Sequence, residues 1–227
     1  MGIVEKTFNK SKVGFIAMAT TIVWTGLGLQ LYIFLSRALG HKLGILQGLS
    51  YYLSYFTNLS NLLAGLTLVN MLILELFDLD LLKLKAKQIT AVAVFICMAS
   101  IVFNLELRKL VPRGWIWYIS NVLLHDLSPI FFLVIWWFYT PYGQLRARDA
   151  LIWLIFPVLY FLYILVRGDI IGHYPYPFFN IVKFGYQSVM LNALGILLGF
   201  VVLGLLFVKL DSLKIKKNHM QTSSASI

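Results

Sequence analysis

Residues 51–77 read YYLSYFTNLSNLLAGLTLVNMLILELF. Glu75 is the single charge in this run, which exceeds the roughly 20 apolar residues a helix needs to cross a bilayer. The run reads as a membrane span. Yet its first half carries Ser54, Thr57, Asn58, Ser60 and Asn61. Polar groups facing lipid lose their partners, so these side chains are expected to turn into protein.

The rest of the chain fits the same solvent. Of 227 residues 60% are hydrophobic and 12% charged, with mean hydropathy +0.83. The charged share is about half that of a soluble domain, which could not cover so much apolar surface. Six segments qualify as spans: roughly 13–36, 50–77, 88–107, 117–140, 150–167 and 185–208. The expected fold is an all-α integral membrane bundle of six transmembrane helices, one domain over residues 1–208. Short connections make consecutive helices antiparallel neighbours. The first run follows Lys6, Lys10 and Lys12 but is longer than a signal peptide's apolar core, so it reads as a retained helix. Residues 209–227 read as a polar, disordered cytoplasmic tail. The one cysteine, Cys97, allows no intramolecular disulfide.

Lysine and arginine give the orientation. Lys6, Lys10, Lys12, Lys83, Lys85, Lys87, Arg146, Arg148 and the tail lysines fall at the end holding both termini. A smaller set, with Arg37, Arg108, Lys109, Arg113 and Arg167, falls at the other. Both termini are therefore expected in the cytoplasm. The net charge of +10 is a topology signal with attraction to anionic lipid headgroups, and no basic domain exists to bind nucleic acid. The sequence leaves the oligomeric state open.

Helical spacing groups the polar residues into faces. Ser54, Thr57, Asn58 and Asn61 lie at i, i+3, i+4 and i+7, with Gly65 continuing the face. Other stripes are Thr21, Thr25 and Gly28; Ala93, Cys97, Ser100 and Asn104; Asn121, His125 and Ser128; and Ser188, Asn192, Gly195 and Gly199. Small and hydroxylated residues let helices pack closely, which accounts for the first and last stripes. The fifth span, interrupted by Pro157, Tyr160 and Tyr163, is expected at the periphery.

His125 and Asp126 stand inside the apolar run NVLLHDLSPIFFLVIWWF. Ionisable groups at membrane depth usually face a cavity or a partner. Thr57 lies about seven residues, roughly 10 Å, into its helix and His125 about eight, roughly 12 Å, into its own, both from the outer side. A Thr hydroxyl needs an adjacent base to attack, and a neutral imidazole is one. Asn58, Asn61 and Asn121 would donate to a developing oxyanion, with Ser54, Ser128 and Asp126 as further candidates to line the site. Asp126 lies about 100° around the helix from His125 and is expected to pair with a cation such as Arg108 or Arg113. A buried structural histidine remains the competing reading. No histidine or cysteine sits at metal-ligand spacing, and neither metal nor cofactor is expected.

The motifs YFTNLSNLL, LLHDLSPIFFLVIWW, RGDIIGHYPYPFFNI and NALGILLGFVVLG resemble a family of bacterial six-helix predicted membrane proteins. That family in turn resembles the animal androgen-induced and androgen-dependent transmembrane proteins, which hydrolyse fatty acid esters of hydroxy fatty acids. The resemblance covers about residues 15–208. It implies a Thr nucleophile at Thr57 and a His base at His125, with Pro129 behind it. It also implies an aromatic-Pro-Phe tract at Tyr176, Pro177 and Phe178. The animal proteins tend to carry a hydroxyl residue where Asp126 stands here. The resemblance implies a multi-pass protein of the bacterial inner membrane.

The sequence thus points to an intramembrane lipid-ester hydrolase acting on membrane lipids, with Thr57 and His125 catalytic. Arg108, Lys109 or Arg113 would hold a substrate carboxylate at the interface. A transporter or channel predicts polar lining reaching the cytoplasmic half. A non-catalytic scaffold predicts no cavity at Thr57. The stretch 173–180, HYPYPFFN, reads either as a lid or as an aromatic interfacial anchor.

Overall fold

The computed structural model describes residues 10–77 and 85–224, and from residue 215 on its backbone only. Lys6, Lys83 and the last three residues lie outside the described residues. Six helices are long and apolar enough to cross a membrane: α1 (Lys10–Gly40), α3 (Phe56–Phe77), α4 (Ala86–Leu110), α5 (Trp115–Tyr139), α6 (Ala147–Ile171) and the last, α7 (Ile181–Ser224). A short helix, α2 (Ile45–Leu53), precedes α3. The chain is a multi-pass helical membrane protein with no strand among the described residues.

Elsewhere the expected spans and the helices agree to within a few residues, except that the last helix runs on past residue 208 to Ser224, but residues 50–77 do not form one helix. The backbone breaks at Ser54–Tyr55, and side chains take over the bonds that the break frees. The Ser54 hydroxyl donates to the Tyr51 carbonyl at 2.6 Å, and Asn58 Nδ2 to the Tyr52 carbonyl at 2.9 Å. The Tyr160 hydroxyl reaches across from α6 to the Ser54 carbonyl at 2.8 Å. Short polar side chains that compete for backbone groups favour such breaks. Thr57 consequently sits in the first turn of α3 rather than seven residues into a helix.

The starts of α4 and α6 are capped. The Lys85 N–H donates to Gln88 Oε1 at 2.9 Å and the Arg146 N–H to Asp149 Oδ2 at 2.8 Å. Lys87 Nζ donates to Asp149 Oδ1 at 2.8 Å, tying α4 to α6, while Lys12 pairs with Glu75, tying α1 to α3. Asp211 of α7 accepts the Leu145 N–H at 3.1 Å.

α1 packs on α3 and α5, α3 on α4, α4 on α5 and α7, and α6 on α7. α4 is the central helix, 61% buried, while α7 is least buried at 22% against 33% for α6. The fifth span is peripheral as expected, with α7 as its main partner, but it shares that place with the still less buried α7, and Tyr160, Ile164 and Arg167 of α6 are buried. Two stripes are corrected. Thr21, Thr25 and Gly28 are exposed, and α1 turns inward Ile16, Ala19, Val23, Gly26, Leu27 and Gln30. Thr21 can face outward because its hydroxyl donates to its own helix, at the Ala17 carbonyl, 3.0 Å away. Ser188, Asn192 and Gly195 are exposed too, and α7 buries Val189, Ala193, Phe200 and Phe207. The tail is likewise not a separate coil along its backbone, since α7 continues to Ser224.

Candidate active site

Pro129 organises the site. It has no N–H and so cannot donate to the carbonyl of His125, four residues back. The chain widens into a π turn over Val122–Leu127, and the Ser128 N–H bonds the Leu123 carbonyl instead of that of Leu124. Two buried carbonyls, Leu124 and His125, are thus left without their helical donors. Side chains from other helices supply them. Asn61 Nδ2 donates to the Leu124 carbonyl at 3.3 Å, and the Ser100 hydroxyl to the His125 carbonyl at 2.5 Å. Asn61 also donates to the Thr57 carbonyl at 3.0 Å and accepts the Ser128 hydroxyl at 2.6 Å. Both amide hydrogens are then committed, and Asn61 is fully buried.

The π turn turns His125 toward α3. Its Nδ1 lies 3.2 Å from the Asn121 carbonyl, and its Nε2 lies 3.2 Å from Thr57 Oγ1. A carbonyl only accepts, so Nδ1 carries the proton. In the neutral ring Nε2 is then an acceptor and takes the Thr57 hydroxyl hydrogen. Phe103, at the start of a second π turn over Phe103–Leu107 in α4, stacks on the imidazole with ring centroids 3.6 Å apart. π turns recur at functional sites because they re-aim side chains in this way.

Thr57 has a second neighbour. Its N–H, unpaired in the first turn of α3, donates to the Tyr176 hydroxyl at 3.4 Å. Tyr176 belongs to the 173–180 stretch, which folds over the helix ends with a 3₁₀ turn at Pro177–Phe179. Its ring stacks on Phe178 and meets Tyr55 edge-on. Burial, partly offset by its contact with Thr57, pushes the phenol up to about 12. Tyr176 is therefore an O–H donor at neutral pH. The sequence drew attention to it only as part of an aromatic-Pro-Phe tract.

Thr57 and His125 line a cavity of about 300 Å³ that opens at the end away from the termini. Asn58, Asn121, Gln30, Arg37, Tyr55 and Tyr176 share its wall. Gln30 Nε2 donates to Asn121 Oδ1 at 3.3 Å and Asn121 Nδ2 to the Trp117 carbonyl at 2.8 Å. Gln30 and Arg37 were legible only as single polar residues on α1.

Several expected site residues stand elsewhere. Ser54, Asn61 and Ser128 are buried beside the cavity without lining it. The amides of Asn58, Asn61 and Asn121 donate to backbone carbonyls. Asp126 pairs with Arg108 Nη2 at 2.5 Å, as expected, with Asn104 bridging the two. Arg108 is thereby engaged, and Arg108 and Arg113 line a neighbouring hollow rather than the cavity of Thr57. Lys109 lines neither. No family model, no curated protein and no solved structure matches the chain.

Proposed function

We propose that the protein is an intramembrane lipid-ester hydrolase in which Thr57 is the nucleophile and His125 the base. One observation carries this reading: His125 Nε2 accepts the Thr57 hydroxyl inside a cavity, with the tautomer set by the Asn121 carbonyl. As Thr57 Oγ1 bonds the ester carbonyl carbon, Nε2 takes its proton. The charge developing on the carbonyl oxygen is met by the Tyr176 hydroxyl. His125 then returns the proton to the departing alcohol, leaving an acyl-threonine. Water, deprotonated by Nε2, releases the acid and restores Thr57. The Asn121 carbonyl orients the imidazole and stabilises its protonated form.

The resemblance to the animal hydrolases points to the same two residues. Fatty acid esters of hydroxy fatty acids, or similar membrane lipids, are the substrates proposed. They would enter sideways from the leaflet at the cavity end, which the lysine and arginine bias makes the outer one.

Leu68, eleven residues beyond Thr57 on α3, and Phe132 and Ile135, seven and ten beyond His125 on α5, are apolar and fully buried, which supports hydrolysis over transport. A cavity at Thr57 speaks against a non-catalytic scaffold. Purified protein in detergent should cleave a chromogenic fatty ester, and folded Thr57→Ala and His125→Ala should each lose about 10²-fold or more. A wild type inert on a broad ester panel, or a fully active Thr57→Ala, would overturn the proposal.

A further inference from the structure

A second cavity, of about 250 Å³, adjoins the first and shares Phe34, Arg37 and Tyr55 with it. Its other polar lining is His41, Tyr51 and His173. No aspartate or glutamate lines either cavity. Behind its wall lies Arg167, only 5% exposed. Its Nη1 donates to the His173 carbonyl at 3.2 Å and its Nη2 to Ser50 Oγ at 3.3 Å, while Nε has no partner. Among the described residues neither Arg37 nor Arg167 pairs with an acid. Both guanidinium groups nonetheless act on the same phenol: burial raises Tyr55, and Arg37 and Arg167 pull it back.

A buried guanidinium without a counter-anion is costly, and an anionic ligand would remove that cost. A carboxylate is satisfied by one guanidinium fork. Here Arg37, two imidazoles and two phenols surround a larger space, with Arg167 supplying charge from behind. That arrangement suits the tetrahedral oxygens of a phosphate. We propose that this cavity binds the phosphate of a glycerophospholipid, placing an acyl ester of the same molecule in the adjoining cavity at Thr57. The identity of the substrate rests on the hydrolase reading, whereas the binding itself does not.

Binding is measured in purified Thr57→Ala protein, so that no lipid is consumed. Native mass spectrometry in detergent would compare phosphatidylglycerol, diolein and oleate. Phosphatidylglycerol should bind best, and adding Arg37→Gln, an exposed position that leaves the fold intact, should weaken it about tenfold without affecting diolein. His173→Gln should weaken it in the same direction. Four results would each overturn the proposal. They are retention within twofold in Arg37→Gln, diolein bound as tightly as phosphatidylglycerol, oleate preferred over it, and displacement of the lipid by an equal concentration of inorganic phosphate. The last would assign the site to the free anion. Selective phospholipid binding together with an inert wild type would sink the hydrolase reading and leave the site standing.

Discussion

The Ser100 hydroxyl donates to the carbonyl oxygen of His125 at 2.5 Å, filling the bond that Pro129 leaves open. Ser100→Ala should therefore destabilise the protein by about 1–3 kcal/mol, the cost of a buried unsatisfied carbonyl. Pro129→Ala restores an N–H at that place, so the two substitutions should couple. In the Pro129→Ala background the loss from Ser100→Ala should shrink to a few tenths of a kcal/mol. Thermal unfolding in detergent of the four proteins measures the coupling. Pro129→Ala should also cut ester hydrolysis, because an α-helical turn re-aims His125.

Tyr176→Phe keeps the ring contacts with Tyr55 and Phe178 and removes only the hydroxyl beside Thr57. We expect kcat to fall about 10²-fold with little change in KM, as for loss of an oxyanion donor. The same variant has a pH signature. The phenol moves from an ordinary value of 10.0 to about 12 in the folded protein. A group held protonated by the fold adds stability that is complete below about pH 10 and lost as pH rises through about 12. Tyr52, pushed up to about 12 by burial, contributes in the same window. Stability of wild type should fall across it, and that of Tyr176→Phe should fall less steeply.

Gly168 tests whether the 173–180 stretch positions Tyr176. A Cβ at this α6 position would lie 2.0 Å from the Tyr174 ring. Gly168→Ala should push that ring and the adjoining stretch away from α6, costing about 1–3 kcal/mol. Activity should fall while Thr57 and His125 stay in place. Faster proteolysis between residues 172 and 180 would report the displacement, and an unchanged rate with full activity would show that Tyr176 is held by other contacts.

Asp126 is the neighbour of the base in sequence but not its partner. Its pair with Arg108 is partly exposed, at 30% and 39%. Asp126→Asn should cost at most about 1 kcal/mol and leave hydrolysis within about twofold. A loss of about 10³-fold would instead make Asp126 the group that orients the imidazole.

Membrane residence and six helices were legible in the sequence because apolar length and a shortage of charge determine them without reference to neighbours. The inward faces of α3 and α5 were legible too: Asn58, Asn61, Asn121 and His125 cannot stay unpaired in lipid, so their spacing marks a protein-facing side, whereas on α4 the expected stripe ends at the exposed Asn104 and every residue from 92 to 99 is buried. The same reasoning misled at Thr21, since a threonine can satisfy itself on its own helix and then gives no direction. It misled at Ser188 and Asn192, which lie on an exposed face of α7, with the Asn192 amide donating to the Phe178 carbonyl at 2.9 Å.

Three features were decided only by tertiary structure. The break at Ser54–Tyr55, favoured locally by Ser54 and Asn58, leaves the Ser54 carbonyl to a hydroxyl arriving from Tyr160, 106 residues away in the chain. The π turn at Val122–Leu127 is announced by Pro129 but holds only because Asn61 and Ser100 fill its open carbonyls. Tyr176 reaches Thr57 because a loop between two helices folds back over the bundle end. In each case a local sequence leaves a backbone or hydroxyl group unpaired, and a long-range contact satisfies it. Periodicity along one helix carries no information about that contact.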